Sequence, residues 1–412
     1  MTLLEERQKR LDDAIALSEP DRIPITSGGQ CYPIYNAGLT VADAVYDFDK
    51  YTEAVVKYVT QYEPDAAGGS ITIPGHGPAL DLVKPKNLVW PGAPDGRISV
   101  NSIQQFIEYA VLRDEDMEFF MKDYTGWLLT KGFPAIAGVF EPLADWDFAH
   151  HSLDMHVQNL VGMLSTPSSR EMIQTIWKIS DIFTEIGKKN IELSKKLTEL
   201  GFPVTGGGRV LVPFDTFSDF YRGTLDTMLD LYENPDVIFR FIDRNIDYIL
   251  SDISMQAKRA PGKWLFIPLH KGMDSFLTDQ QYKDYYWPYL RRMINHIIDE
   301  GMVPYVYTEG PYNSRVKYLS DVPKGKVVYN FEEADPVHVK KELGGTACIM
   351  GFFPIYLLHY GKKQQVIDEA KRLIDILGPG GGYIFSTGAG FDHAKPENVE
   401  AMFDTVKTYG KK

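Results

Sequence analysis

What most constrains this chain is a recurrence of short, almost wholly apolar runs, most of them followed by a segment with helical periodicity. The runs are "DAAGGSI" (65–71), "PAIAGVF" (134–140), "GRVLVP" (208–213), "KWLFIP" (263–268), "MVPYVY" (302–307), "KVVYN" (326–330), "TACIMGF" (346–352) and "YIFST" (383–387). Continuous rather than alternating hydrophobicity marks strands covered on both faces, as in parallel sheets wrapped by helices. Strand then helix, repeated over eight runs, predicts a (β/α)8 barrel in preference to an open doubly wound sheet.

The helices are clearest late in the chain. Thr278 and Gln281 form a capping box ahead of an apolar stripe of Tyr286, Leu290, Met293 and Ile297, and Gly301 is the stop. Val366, Ala370, Leu373, Ile374 and Leu377 share one helical face, and Val399, Met402, Phe403 and Val406 another. "GPGGGY" precedes a strand instead of joining strand to helix, so it is no dinucleotide fingerprint. The Pro/Gly-rich stretch 72–133 is too irregular for one βα unit and reads as an excursion over the top of the barrel. The expected organisation is a single barrel domain over 1–412 with an N-terminal helical extension.

The 412 residues are 44% hydrophobic and 24% charged, an ordinary composition for a globular protein with a large core. A formal charge of -13 with no long Lys/Arg block opposes nucleic-acid binding. Two cysteines, Cys31 and Cys348, are neither paired as CxxC nor numerous enough for a disulfide framework. The N-terminus is a charged amphipathic helix without a signal-like apolar core, and no stretch approaches a membrane span. A cytoplasmic protein is expected.

In a (β/α)8 barrel, chemistry gathers at the carboxyl ends of the strands. Alternation places Tyr307 and Glu309 on one side of the run "YVYTEG" and Thr308 on the other. Glu309 is read as a site carboxylate or as a turn acceptor paired with Arg315, and Tyr307 as a site or a core tyrosine. His270, followed by Lys271 and Asp274, ends the "KWLFIP" run. Tyr307, Glu309 and His270 are the expected catalytic groups. Cys31 and Tyr32 in "SGGQCYPIY", Glu141, Asp274, Arg315, Glu333 and His393 are expected around the substrate. For a metal, were one bound, Glu309, His270 and His393 are the donors to consider. P-loop, HExxH, GxSxG and EF-hand patterns are absent.

The segments "EPDRIPI", "VPFDTFSDFYRGTLDTMLDLYENPDVI", "LTDQQYKDYYWPYLRRMINHIIDEG" and "GGGYIFSTGAGFDHAKPENVEAMFDTVKTYG" resemble the uroporphyrinogen decarboxylase superfamily, a resemblance weakest over 72–200. It implies a barrel with its site at the strand C-termini. Decarboxylases of that superfamily share an early "RQAGRY" segment that gathers substrate carboxylates. Here the corresponding "ITSGGQCYPIYNAG" has no arginine. Thiol-methylating members hold zinc with a His-x-Cys pair and a further Cys, and the positions that correspond are Tyr307, Glu309 and Ala389. The run "TEGPYNSRVKYLSDVPKGKVVYNFEEADPVHVKKELGGTACIMG" is similar to corrinoid-dependent methyltransferases, including the first enzymes of O-demethylation. That similarity implies methyl transfer from a methoxylated substrate, an aryl methyl ether, to cobalamin on a separate corrinoid protein, with zinc left open. Porphyrinogen decarboxylation and methyl transfer to a folate or thiol are the alternatives.

Overall fold

The computed structural model describes residues 1–26, 29–67, 73–147 and 152–411. Its centre is a parallel six-stranded sheet in sequential order: β1 (Gly206–Arg209), β2 (Trp264–Leu269), β3 (Val303–Pro311), β4 (Val328–Glu333), β5 (Cys348–Phe353) and β6 (Tyr383–Thr387). Two single parallel bridges continue it from both edges. Ile25 pairs with Phe385 of β6, and Ala67 pairs with Val204 just ahead of β1. The Asp65 N–H donates to the Ile25 carbonyl at 2.8 Å, which joins the two edges and closes the ring.

The fold class read from the sequence is therefore correct, but the membership of the ring is not. The run at 134–140 is helical, as Phe133–Ile136 and the 3-10 segment Gly138–Asp145. Its place is taken by the short segment around Ile25. Seven apolar residues cannot separate strand from buried helix by periodicity, and here Pro142 sits inside the helical segment. Of "DAAGGSI", residues 68–71 lie outside the described residues; Ala67 makes the bridge. The excursion over 72–133 also runs further than its composition suggests. Beyond a small ribbon, Leu88–Val89 with Gln105–Phe106, the helices Leu153–Ser165 and Pro167–Glu199 follow before the chain re-enters at Val204.

Alternation sorts the strand residues. Leu265, Ile267, Leu269, Val306, Tyr329, Phe331 and Ile349 pack outward against the helices. Trp264, Val303, Tyr305, Val328, Cys348, Met350 and Ile384 face inward with Ala66 and pack on Leu11, Ala14 and Ile15 of the helix Leu3–Ile15, which plugs the bottom. That end is tied by Asp65, fully buried, which takes Arg10 at 2.5 Å, Arg22 at 2.7 Å and the Ile25 N–H at 2.8 Å. A buried carboxylate with several charge-assisted donors holds the plug to the ring. The anticipated helical stripes are buried. Among the described residues no helix is long and apolar enough to cross a membrane.

Candidate active site at the barrel mouth

At the top of the barrel, Asp215 and Asp219 sit one helical turn apart on the segment after β1, in helix Pro213–Thr216 and the π-turn Phe217–Arg222. Asp215 is fully buried and accepts from the His270 N–H (3.0 Å), the Lys271 N–H (3.0 Å) and the Tyr286 hydroxyl (2.6 Å). Burial pushes its carboxyl up to about 7. Tyr286 reaches it from the end of the π-turn Tyr282–Tyr286. Pro288 offers no N–H to the carbonyl four residues back, so the helix widens there.

Held by Asp215, the loop after β2 presents His270. Its Nδ1 lies 2.5 Å from Asp219 Oδ2, and its Nε2 lies 3.8 Å from Glu309 Oε1. Burial works against charge on this ring. The Asp219 hydrogen bond and the neighbouring Asp215 and Glu309 carboxylates outweigh it and raise the imidazole to about 9. Lys271 Nζ lies 3.2 Å from Asp219 Oδ1, 2.8 Å from the Thr224 hydroxyl and 3.8 Å from Glu108 Oε2. Glu108 also accepts from the Thr224 N–H at 2.7 Å, so the excursion reaches the rim of the mouth.

Glu309 and Tyr307 project from β3 beside this group. Burial raises the Glu309 carboxyl above its usual range; His270 opposes that, and Glu332 and Asp219 add to it. Burial likewise raises the Tyr307 phenol. The backbone after Glu309 calls for a glycine. At φ 77° Gly310 breaks the regular register with β4 and donates its N–H to Glu332 Oε2 at 2.8 Å.

The other expected residues are not gathered here. Glu141 is exposed on its 3-10 segment and pairs with Lys86 at 2.8 Å, because the run before it is not a strand. Glu333 points off the lumen, since the inward positions of β4 are Val328, Asn330 and Glu332. Arg315 is buried and pairs with Asp274 at 3.7 Å and Asp279 at 3.6 Å, not with Glu309. It donates to the carbonyls of Gly272 and Leu277 and lies over the Tyr282 ring at 4.6 Å. Asp274 accepts from the Ser314 N–H (3.0 Å) and hydroxyl (2.7 Å), tying together the loops after β2 and β3. Tyr32 is buried, with its hydroxyl 2.8 Å from that of Tyr62. Cys31 is buried with its N–H on Asp392 at 2.9 Å, and burial drives its thiol far above the usual range. His393, in the loop after β6, stacks on Tyr35 at 4.3 Å. The donor set Glu309, His270 and His393 is thus not assembled, and no three metal-binding side chains cluster among the described residues.

Sequence reasoning passed over Asp215 and Asp219 as site groups, and of the neighbours Glu332 and Glu333 after the fourth strand it chose Glu333. The signal for the first two was present: carboxylates four apart in "FDTFSD", just after the apolar run 208–213.

A cleft of about 390 Å³ on the barrel flank, lined by Arg291, Arg292 and His296 among others, is separate from this site. Its arginines pair with Asp321 and Asp247.

Comparison with known proteins agrees with this architecture. The family model described as uroporphyrinogen decarboxylase (URO-D) matches residues 167–409. The uroporphyrinogen decarboxylase of Neisseria gonorrhoeae (strain NCCP11945) is 24% identical over 191 residues, 44% of this chain and 51% of that one. The enzyme of Azoarcus sp. (strain BH72) is 24% identical over 200 residues, 47% and 53% of the two chains. The chain spans about half the length of the curated relatives it matches. Among solved structures, a methyltransferase from Methanosarcina mazei covers 98% of both chains with a TM-score of 0.61 at 12% identity, a likeness of fold. With the matched region taking in well over half of its residues, the chain belongs to the uroporphyrinogen decarboxylase family.

Proposed function

We propose that the protein is a methyltransferase that takes a methyl group from a methoxylated small molecule, an aryl methyl ether, and passes it to cob(I)alamin on a partner corrinoid protein. The observation that carries this reading is the pairing of His270 with Asp219 and Glu309 in a mouth rich in carboxylates. Asp215, Asp219, Glu309, Glu332 and Glu108 surround His270 and Lys271, and Lys271 is already engaged by Asp219. A porphyrinogen with its several carboxylates would meet repulsion there and lack the cationic donors it needs. Zinc does not suit the donor set either: the expected third donor stands apart on Tyr35, and both thiols are buried.

The acceptor, a strong nucleophile, supplies the attack on the methyl carbon. What remains for this chain is the departing oxygen, since a phenolate is a poor leaving group unless it gains a proton. Asp219 holds Nδ1 of His270, leaving Nε2–H directed toward Glu309 and the mouth. A ring that titrates near 9 is protonated at neutral pH and close to a phenol's value of about 10. It therefore carries a proton that transfers to the phenolate with little penalty. Such general acid catalysis contributes ~10²–10⁴-fold. The carbon–oxygen bond breaks, the methyl group goes to the acceptor, and the aryl oxygen takes the proton from Nε2.

The test is to mix the protein with reduced corrinoid protein and a panel of methoxyarenes and to follow methylation of the corrinoid by absorbance. No methylation across a broad panel overturns the reading. The sequence relatives support a second one, decarboxylation. Carbon dioxide release from uroporphyrinogen without a cofactor would establish it instead.

A further inference from the structure

We propose that Lys271 is a positioning residue for the His270–Asp219 pair, and that Glu108, on the excursion, acts on that pair through Lys271. This rests on the reading of His270 as the acid and concerns the control of its proton. The two oxygens of Asp219 are divided. Oδ2 lies 2.5 Å from Nδ1 of His270, and Oδ1 lies 3.2 Å from Nζ of Lys271. Nζ also donates to the Thr224 hydroxyl at 2.8 Å, which donates in turn to Glu108 Oε2 at 2.7 Å. Glu108 Oε1 accepts from the Thr224 N–H at 2.7 Å. A continuous line of polar contacts therefore runs from the excursion to the imidazole.

The segment that carries Asp219 is stitched to the excursion. Phe106 packs on Phe220 with ring centroids 5.3 Å apart, the Leu112 N–H donates to the Tyr221 carbonyl at 2.7 Å, and Arg222 pairs with Asp114 at 2.6 Å. Glu108 extends this seam to Lys271, with Oε2 3.8 Å from Nζ. An ammonium at Oδ1 partly neutralises the carboxylate that holds His270, and a carboxylate behind the ammonium offsets that in turn. The side chains of Lys271 and Asp219 are 16% and 9% exposed, so water and salt screen the pair weakly. Lys271 thus loosens the hold of the ring on its proton, and Glu108 restores part of it. The other charged groups around the ring are Asp215 after β1 and Glu309 on β3, with Glu332 of β4 acting on Glu309. Substitution at 271 or 108 leaves all three in place.

The test is NMR titration of the His270 ring protons in the full chain without substrate, the resonance being assigned by its loss in His270→Gln. Lys271→Met is expected to move the His270 midpoint up by ~0.5 pH unit or more, and Lys271→Arg, which keeps the charge, to leave it near the wild-type value. Glu108→Gln is expected to move it down in the wild-type background and to leave it in place in Lys271→Met, the non-additivity of groups that act in series. A midpoint that folded Lys271→Met leaves unchanged or lowers overturns the proposal, since loosened packing of Asp219 would do the latter. Glu108 is partly exposed, and Glu108→Gln preserves its shape, so this variant decides if Lys271→Met does not fold: an unchanged or raised midpoint overturns the proposal. Equal shifts by Glu108→Gln with and without Lys271 also overturn it. Corrinoid methylation is followed in parallel, and the alkaline limb of kcat is expected to move with the titration. Shifted titration with an unmoved pH–rate profile removes His270 as the acid and leaves the line of contacts; unmoved titration removes the line whatever the rate.

Discussion

His270 hands one face of its ring to Asp219, with Nδ1 and Oδ2 2.5 Å apart, and the opposite nitrogen toward Glu309 at 3.8 Å. One imidazole thus links the segment after β1, the loop after β2 and the end of β3. A carboxylate fixed to Nδ1 sets the tautomer and raises the affinity of the ring for its proton.

Replacing Asp219 with Asn keeps the shape and removes the charge. The rate of corrinoid methylation is expected to fall ~10²-fold or more, with a smaller change in KM. The alkaline limb of the pH profile is expected to move to lower pH, because the hydrogen bond that raises His270 is weakened. A pH–rate profile that stays in place would show that Asp219 serves only the packing of its segment.

Glu309→Gln separates a carboxyl from a hydrogen-bonding side chain. Loss of its charge lowers the His270 pKa from about 9, since Glu309 is one of the groups that raise it. Titration of the His270 ring protons by NMR reads this directly. Turnover is expected to fall ~10-fold or more, and an unaltered His270 titration would contradict the described contact.

Stability carries the same linkage. His270 is raised from 6.5 to about 9 in the folded chain, so its contribution is fully present below about 6.5 and is lost as pH rises through about 9. Asp215, raised to about 7, has the same sign but acts at lower pH. Urea unfolding at pH 7 and pH 10 is expected to show the wild-type chain losing ~1–3 kcal/mol more than His270→Gln over that window. Equal losses would contradict the raised pKa.

Arg315 is a clamp and not a substrate ligand. Arg315→Ala removes donors from the Gly272 and Leu277 carbonyls and the cation from over Tyr282. A loss of ~2–4 kcal/mol in denaturant unfolding is expected, with reduced activity because the loop carrying His270 loses its support.

Cys31 makes the contrary case. Its thiol is buried and held protonated, so Cys31→Ala is expected to keep full methyl transfer at a cost of ~1 kcal/mol in stability. Inactivation of the folded variant would place the thiol back in the chemistry.

The carboxyl ends of the apolar runs were legible because a parallel barrel puts polar residues only where strands finish, and Glu309, Tyr307 and His270 stand at such ends. The choice of Glu333 over Glu332 went the wrong way, because alternation tells the two apart only once the facing of β4 at Val328 is known, and not from the location of the strand alone. Arg315 could not be read correctly, since a guanidinium after a strand looks the same whether it meets a ligand or two loop carbonyls. Glu141 followed from a run that resembles a strand in composition yet folds as a helix.

Hydrophobic period and capping by themselves determined the late helices, the parallel strands from Trp264 onward and so the class of fold, because those signals arise within one turn or one strand. Tertiary structure alone decided which short segment completes the ring at Ile25 and which carboxylates reach His270. It also decided that His393 turns away onto Tyr35. The convergence of Asp215, Asp219 and Glu309 joins segments up to about a hundred residues apart, closure of the ring at Ile25 and Phe385 joins segments from opposite ends of the sequence, and no local pattern records a distance of that kind.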